Sequence, residues 1–284
     1  MGKVIMSGIV EPLTVPVGLP PIGTALNACT WEQIRKVSDA GQAANYFSVG
    51  DTKNITINGT VGATTFSNLT VAVFILGINH NASAEGANRI HFGLGKISGK
   101  DVCLVDSNYG TTTSTGGYFN MNLSNVSTAS GGWEGSRMRR VLLGNNYTPT
   151  SPGSGTLLAA LPSDLLAVMK SVTKYSDNTG GGSVTAADIT ATTDYLWLLS
   201  EFEVHGARTY ANSAEKDYQL QYDYYKAGNS KIKYRHNATN TAASWWVRST
   251  NVNNGRNFCR VETNGTASGH TGNYCYGVAP AFAV

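Results

Sequence analysis

From Thr30 onward the chain moves through short stretches of distinct periodicity. TWEQIRKVSDAG places Trp31, Ile34 and Val37 on one helical face, with Thr30 at the N-cap position, Glu32 in the first turn and Gly41 at the close, and it predicts a short helix. NYFSVGDTKNITING alternates, turning Ile55 and Ile57 the same way, as a half-buried strand does. TVAVFILGINH is almost continuously apolar and predicts a central strand buried on both faces, with RIHFGLGKI as its neighbour. The Gly/Ser/Thr/Asn-rich stretch from Tyr109 to Gly132 predicts loop, and GGWEGSRMRRVLLGN resumes structure with Trp133, Met138, Val141 and Leu142 apolar. LLAALPSDLLAVMKSV spaces Leu161, Leu165, Leu166, Met169 and Val172 as one helical face, with Ser163 as cap and Lys170 near the C-terminus. DYLWLLSEFEV predicts a further buried strand, and EKDYQLQYDYYKAG a tyrosine-rich amphipathic helix ended by Gly228. The final GVAPAFAV fits an edge or terminal strand, because Pro280 cannot donate to a ladder. Helices and strands interspersed without regular βαβ repetition give an α+β fold class.

Two segments stand apart from this pattern. Residues 1–29 are punctuated by Pro12, Pro16, Pro20 and Pro21, which block helix, and form an extended N-terminal arm or attachment segment. Near the other end, a long polar stretch of Asn, Gly, Thr, Ser, Tyr and Arg lies between the pair Trp245–Trp246 and the terminal strand, so both its ends are tied into apolar structure. Long loops without structure of their own are uncommon unless functional.

Composition narrows the classes of function. Charged residues make up 14% of the chain, with a net charge of +3, against a typical charged content of roughly 25%. No run of Lys/Arg marks a nucleic-acid or anionic-membrane surface, and no apolar stretch has the length of a membrane helix. The first residues, MGKVIMSGIVEPLTVPVGLPPIG, read poorly as a signal peptide, so cytoplasmic synthesis without Sec export is expected. Nine Asn-x-Ser/Thr sequons, among them Asn54, Asn58, Asn122 and Asn264, follow from composition rather than from glycosylation.

Candidate chemistry is sparse. Cys29, Cys103, Cys259 and Cys275 are too scattered for a disulfide scaffold and contain no CxxC pair, so they are expected to be free, mostly buried thiols. His80, His91, His205, His236 and His270 show no metal-ligand spacing and are expected mostly at the surface or the edge of the core. Glu201 and Glu203 share a face if their segment is a strand, and a structural polar network outweighs acid/base machinery there. No catalytic residue, metal or cofactor is expected.

The segments TWEQI, YFSVGD, GWEGSRMRR, DYLWLLSEFEVHG, WWVRS and GVAPAF together resemble a bacterial and phage family with a C-type-lectin-like fold, the variable proteins of diversity-generating retroelements. The resemblance runs from about Thr30 to Val284, and its most specific part is WWVRS and GVAPAF about thirty residues apart. It implies a C-type-lectin-like domain over 30–284, of the subgroup shared with formylglycine-generating enzymes, and a hypervariable surface over about 244–276. In such systems an error-prone reverse transcriptase mutates template adenines, so an Asn codon can become many residues but not Trp, Gln, Lys, Met or Glu. From Thr250 to Tyr276 only Glu262 belongs to those excluded types. The cysteine pair of the formylglycine-generating enzymes has only Cys259 and Cys275 as counterparts, with no activating partner. The calcium-binding triplets of carbohydrate-binding C-type lectins are missing, and Glu262 alone cannot supply six to eight oxygen ligands.

On this resemblance, Thr250, Asn251, Asn253, Asn254, Arg256, Arg260, Asn264, His270, Asn273, Tyr274 and Tyr276 are the expected variable, ligand-contacting positions. Trp245, Trp246, Arg248, Phe258, Gly277, Pro280 and Phe282 are their expected scaffold, with Val261 and Val278 as further apolar anchors. The implied function is non-enzymatic: a receptor-binding protein of a phage tail, or alternatively a host-encoded surface or secreted protein of the same fold. The implied partners are a bacterial cell-surface protein or glycan and phage tail components, with a homotrimer suiting a tail fibre. The implied location is the virion tail after cytoplasmic synthesis, or the bacterial cell surface in the alternative.

Overall fold

The computed structural model describes residues 18–123, 129–180 and 184–284. Most of the expected arm, residues 1–17, lies outside the described residues. From Gly18 to Cys29 the chain is extended and turned, with Leu26 and Cys29 already in the core.

The helix Trp31–Asp39 forms where its signals place it. Thr30 Oγ1 accepts from the Gln33 amide at 3.1 Å and Gln33 Oε1 accepts from the Thr30 amide at 2.9 Å, satisfying two orphan donors reciprocally. Its apolar face carries Trp31, Ile34 and Val37 inward. Trp31 meets Phe92 edge-on at 5.5 Å and Phe282 at 6.0 Å, and those two rings stack at 5.2 Å, which couples the first helix to the last strand.

Strands β1 (Thr52–Val61), β2 (Thr64–Ile78), β3 (Ile90–Ile97) and β4 (Lys100–Cys103) follow as an antiparallel meander. β1 alternates, burying Lys53, Ile55 and Ile57, and β2 is continuously buried from Val73 to Leu76. Two further strands, β5 (Val172–Asp177) and β6 (Ile189–Asp194), form a separate hairpin. β7 (Lys233–Arg235) adds parallel to β4, and β8 (Ala238–Ala243) pairs antiparallel with β7. β9 (Trp245–Thr250), β10 (Asn257–Val261) and β11 (Ala267–Thr271) make a three-stranded antiparallel sheet in the order β11-β10-β9. β12 (Ala281–Ala283) returns to β3, opposing Phe282 to Phe92. The architecture is α+β and rich in sheet, and one hydrophobic core runs from Leu26 to Val284.

Three expectations are corrected, and one alternative is decided. The segment 157–172 is not one helix: Pro162 has no amide to donate, so a 3-10 turn at Leu158–Ala160 stops and a single turn restarts at Ser163–Leu166. Ser163 is not its cap, Lys170 lies extended against Ala283, and Val172 opens β5. The segment 194–204 is not a strand beyond Asp194. It runs irregularly to Ser200 and then forms the helix Glu201–His205, because Ser200 and Glu203 close a capping box with bonds of 3.0 and 2.9 Å. The tyrosine-rich stretch forms two short pieces, Ser213–Asp217 and Asp223–Lys226, before Gly228. Of the two alternatives for the last segment, it is the terminal strand and not an edge: β3 covers one side, and the backbone of Trp197 exchanges hydrogen bonds of 3.0 and 2.7 Å with Ala281 on the other.

Candidate functional site

All six residues of β9 are buried, although three of them are polar or charged. Each polar group has a partner, as burial requires. Trp245 Nε1 donates to the Lys231 carbonyl at 3.0 Å and Trp246 Nε1 to the Phe119 carbonyl at 3.2 Å. Ser249 Oγ bonds Glu215 Oε2 at 2.8 Å. Arg248 forms a fork with both oxygens of Glu203 and donates to Ser176 Oγ at 2.9 Å and to the Leu198 carbonyl at 3.0 Å.

Behind β9 the ionic network continues. Lys174 Nζ lies 2.8 Å from Glu203 Oε1, 2.8 Å from Glu85 Oε2 and 3.1 Å from the Tyr222 hydroxyl. His91 Nδ1 meets the same hydroxyl at 3.0 Å. Burial pushes the Glu85 carboxyl up, against the pull of Lys174, and burial raises Glu215 to about 7. Glu203 is held far down: burial opposes its ionisation, but the charges of Arg248 and Lys174 outweigh that penalty. Burial also takes His80 down to about 3 and His91 well below its ordinary range. His80 and His91 are interior residues, which corrects the expectation of a surface or core-edge position: a neutral imidazole tolerates burial among cations.

Ligand atoms of His80, Glu85 and Glu203 lie within 4.8 Å of one another, a grouping that sequence spacing did not suggest. The Lys174 ammonium bridges the two carboxylates and already supplies the positive charge there. Glu201 faces elsewhere on its helix and accepts from the amides of Thr209 at 2.7 Å and Ala211 at 2.7 Å, fixing that loop. The pair Glu201 and Glu203 therefore works as structure.

The polar stretch after β9 is built from turns and a hairpin rather than one open loop. Asn251 Oδ1 accepts from the Asn253 amide at 2.9 Å and Asn254 Oδ1 from the Arg256 amide at 3.0 Å, so asparagines shape the first turn through their own side chains. The hairpin β10–β11 opposes Phe258 to His270 and Arg260 to Ser268. The segment after β11 is strapped down by the Tyr109–Gly132 stretch: the Cys275 amide donates to Thr111 at 2.9 Å and the Gly110 amide to Cys275 at 2.7 Å. Gly277 permits the close approach to β4, since a Cβ there would lie 2.3 Å from Cys103 Sγ.

The expected scaffold is buried throughout: Trp245, Trp246, Arg248, Phe258, Gly277, Pro280 and Phe282. Of the expected contact positions, Asn253, Asn254, Arg256 and Asn264 are exposed, and Arg260, His270 and Tyr274 are half-buried. Thr250, Asn251, Asn273 and Tyr276 are buried, which corrects their assignment to a contact surface. Thr250 ends a buried strand and Asn251 follows it directly, and Tyr276 packs on Trp246 at 5.1 Å.

The half-buried residues cluster around buried Tyr276. His270 meets Tyr274 at 4.0 Å and Tyr276 at 5.4 Å, the two tyrosine rings lie nearly parallel at 5.9 Å, and Arg260 sits 4.3 Å over Tyr276. Arg260 also pairs with Glu262 at 2.6 Å. Burial, then the Arg260 charge, lowers His270 and keeps it neutral near pH 7. Chemically the cluster offers ring faces, a guanidinium and amides, and no activated nucleophile. The four cysteines are free and buried, and burial pushes Cys103 and Cys275 up to about 12 and Cys259 well up, so the thiols stay protonated.

Fold and site together define an α+β protein whose C-terminal three-stranded sheet presents a polar, aromatic surface over a buried ionic frame. The chain belongs to the family described as a domain of unknown function (DUF6273), whose profile matches residues 100–284, from β4 through the whole of that sheet. No curated protein and no solved structure matches it. No helix among the described residues is long and apolar enough to cross a membrane.

Proposed function

We propose that this protein is a non-enzymatic ligand-binding protein with a C-type-lectin-like domain, whose C-terminal surface is diversified by a retroelement and serves as the receptor-binding surface of a phage tail. The observation that carries the proposal is the separation within one short segment. Trp245, Trp246 and Arg248 are fully buried, whereas Asn253, Asn254, Arg256 and Asn264 are exposed and Arg260, His270 and Tyr274 are half-buried. A rigid frame under adaptable polar and aromatic side chains is what a replaceable binding surface requires, since Tyr and Asn present contact area at low conformational-entropy cost. The resemblance of WWVRS and GVAPAF to the retroelement family supports the same conclusion.

Sequencing this gene from many independent isolates tests it. Diversification predicts substitutions concentrated at Asn253, Asn254, Arg256, Arg260, Asn264, His270 and Tyr274, with Trp245, Trp246 and Arg248 unchanged. Substitutions spread evenly over the exposed residues of the chain overturn it.

A further inference from the structure

The aromatic cluster extends beyond the segment 244–276. Tyr109, from the stretch after β4, sets its ring edge-on to Tyr276 at 5.9 Å, and its hydroxyl accepts from the Ser244 amide at 2.7 Å. Over the Tyr109 ring, 4.1 Å from its centroid, lies the guanidinium of Arg235 at the end of β7. Arg235, Tyr109, Tyr276 and Arg260 thus form one continuous chain of contacts.

The two arginines differ in what they hold. Arg260 is neutralised by Glu262 at 2.6 Å. Arg235 is half-buried, forms no ion pair or side-chain hydrogen bond among the described residues, and has its Nε buried without a partner. A half-buried guanidinium held on a ring and left without a carboxylate of its own keeps its charge available to an anion from outside, and its planar fork matches a carboxylate.

We propose that Arg235 is a fixed anchor for an anionic group at the edge of the binding face, and that the ligand is a carboxylate-bearing polysaccharide. Its carboxylate meets Arg235, and its sugar rings lie against Tyr109 and Tyr274. A protein partner fits this face less well. Protein interfaces have an apolar centre, and among the described residues the exposed large apolar side chains, Ile22, Val141, Tyr147, Val184 and Leu220, all lie outside the C-terminal sheet in sequence. The turns at the two ends of β10 offer instead the exposed amides of Asn253, Asn254 and Asn264, which match hydroxyl groups. This inference rests on the binding role proposed above and places one determinant outside the diversified segment.

The test uses the full chain on immobilised polygalacturonate, its fully methyl-esterified form, polyglutamate and a teichoic acid. Wild type, Arg235→Ala, Arg235→Lys and an Asn253→Ala/Arg256→Ala/Asn264→Ala/Tyr274→Ala variant are compared, with circular dichroism confirming the fold of each. Wild type is expected to retain polygalacturonate about tenfold or more over the ester, Arg235→Ala to lose that preference, and Arg235→Lys to keep part of it. Equal retention of acid and ester, equal retention by Arg235→Ala, stronger retention of polyglutamate or teichoic acid, or no retention at all overturns the inference. Loss of binding in the fourfold variant with Arg235→Ala unaffected overturns the inference and leaves the binding role proposed above standing. Full binding by the fourfold variant counts against the diversified surface itself.

Discussion

Arg248 grips Glu203 with both arms of its guanidinium, Nη2 lying 2.9 Å from Oε1, and both side chains are completely buried. Glu203 belongs to the helix Glu201–His205 and Arg248 to β9, so this pair ties the helix to the strand from which the C-terminal surface is suspended.

Removing the arginine leaves a carboxylate in the interior with Lys174 as its paired cation and the Ser200 amide as a further donor. Arg248→Met is expected to destabilise the protein by roughly 3–5 kcal/mol, as breaking a buried ion pair does. Arg248→Lys keeps the charge and loses the fork, so it falls between the variant and wild type. Urea denaturation measures both, and a cost below about 1 kcal/mol for Arg248→Met contradicts the account.

Framework and surface separate energetically. Trp245→Ala is expected to cost roughly 3–5 kcal/mol, as truncation of a large buried aromatic does. Asn253→Ala and Asn264→Ala, both exposed, stay within about 0.5 kcal/mol. Comparable losses in all three make the segment a packed structural element throughout.

Much of this division is legible in the sequence, and the reasons are local. The helix Trp31–Asp39 announces itself by a capping box and an apolar face, and β1 to β3 by alternation and by a continuous apolar run. Trp245, Trp246 and Phe258 declare themselves as anchors by type. The helix Glu201–His205 had a signal, Ser200 followed three residues on by Glu203, submerged in an apolar stretch that favoured a strand. The ionic network had none, because Glu85, Lys174, Glu203 and Arg248 come from distant segments and meet only in the folded chain. Residue type also failed to say which asparagines face outward: Asn251 and Asn273 are buried, Asn253 and Asn254 exposed.

Stability should fall on acidification. All five histidines are lowered, chiefly by burial, with His80 at about 3, His205 at about 4, and His91, His236 and His270 also below their ordinary range. Below the ordinary value of 6.5 the unfolded chain therefore binds protons that the folded protein does not. This contribution is fully present above pH 6.5 and is lost as pH falls toward the folded values. Glu85 and Glu215, both raised by burial, oppose it by costing stability as pH rises from 4.5 to about 7. Asp106, also raised by burial, joins these two, while Asp39, Glu203 and Glu262, lowered despite burial, add to the histidines, and the balance is a net loss toward acid. Melting temperatures across this range check the sign, and His80→Gln should flatten the slope.

The cysteines should be redox bystanders. Thiol titration of denatured protein is expected to find four free groups, native protein to react slowly, and a reducing agent to leave the melting temperature unchanged. A shortfall of two thiols points to a bridge that the structure lacks.

The central claim is that binding resides on the outward side chains of the C-terminal sheet and not in its frame. The direct measurement is adsorption of purified protein to a panel of bacterial cells, comparing wild type with a variant in which only Asn253, Asn254, Arg256, Arg260, Asn264, His270 and Tyr274 are changed. Tyr and Arg so often dominate interface energy that their joint replacement should abolish or redirect adsorption while circular dichroism and oligomeric state stay as in wild type. Equal adsorption by two folded proteins contradicts the account and places recognition elsewhere on the molecule.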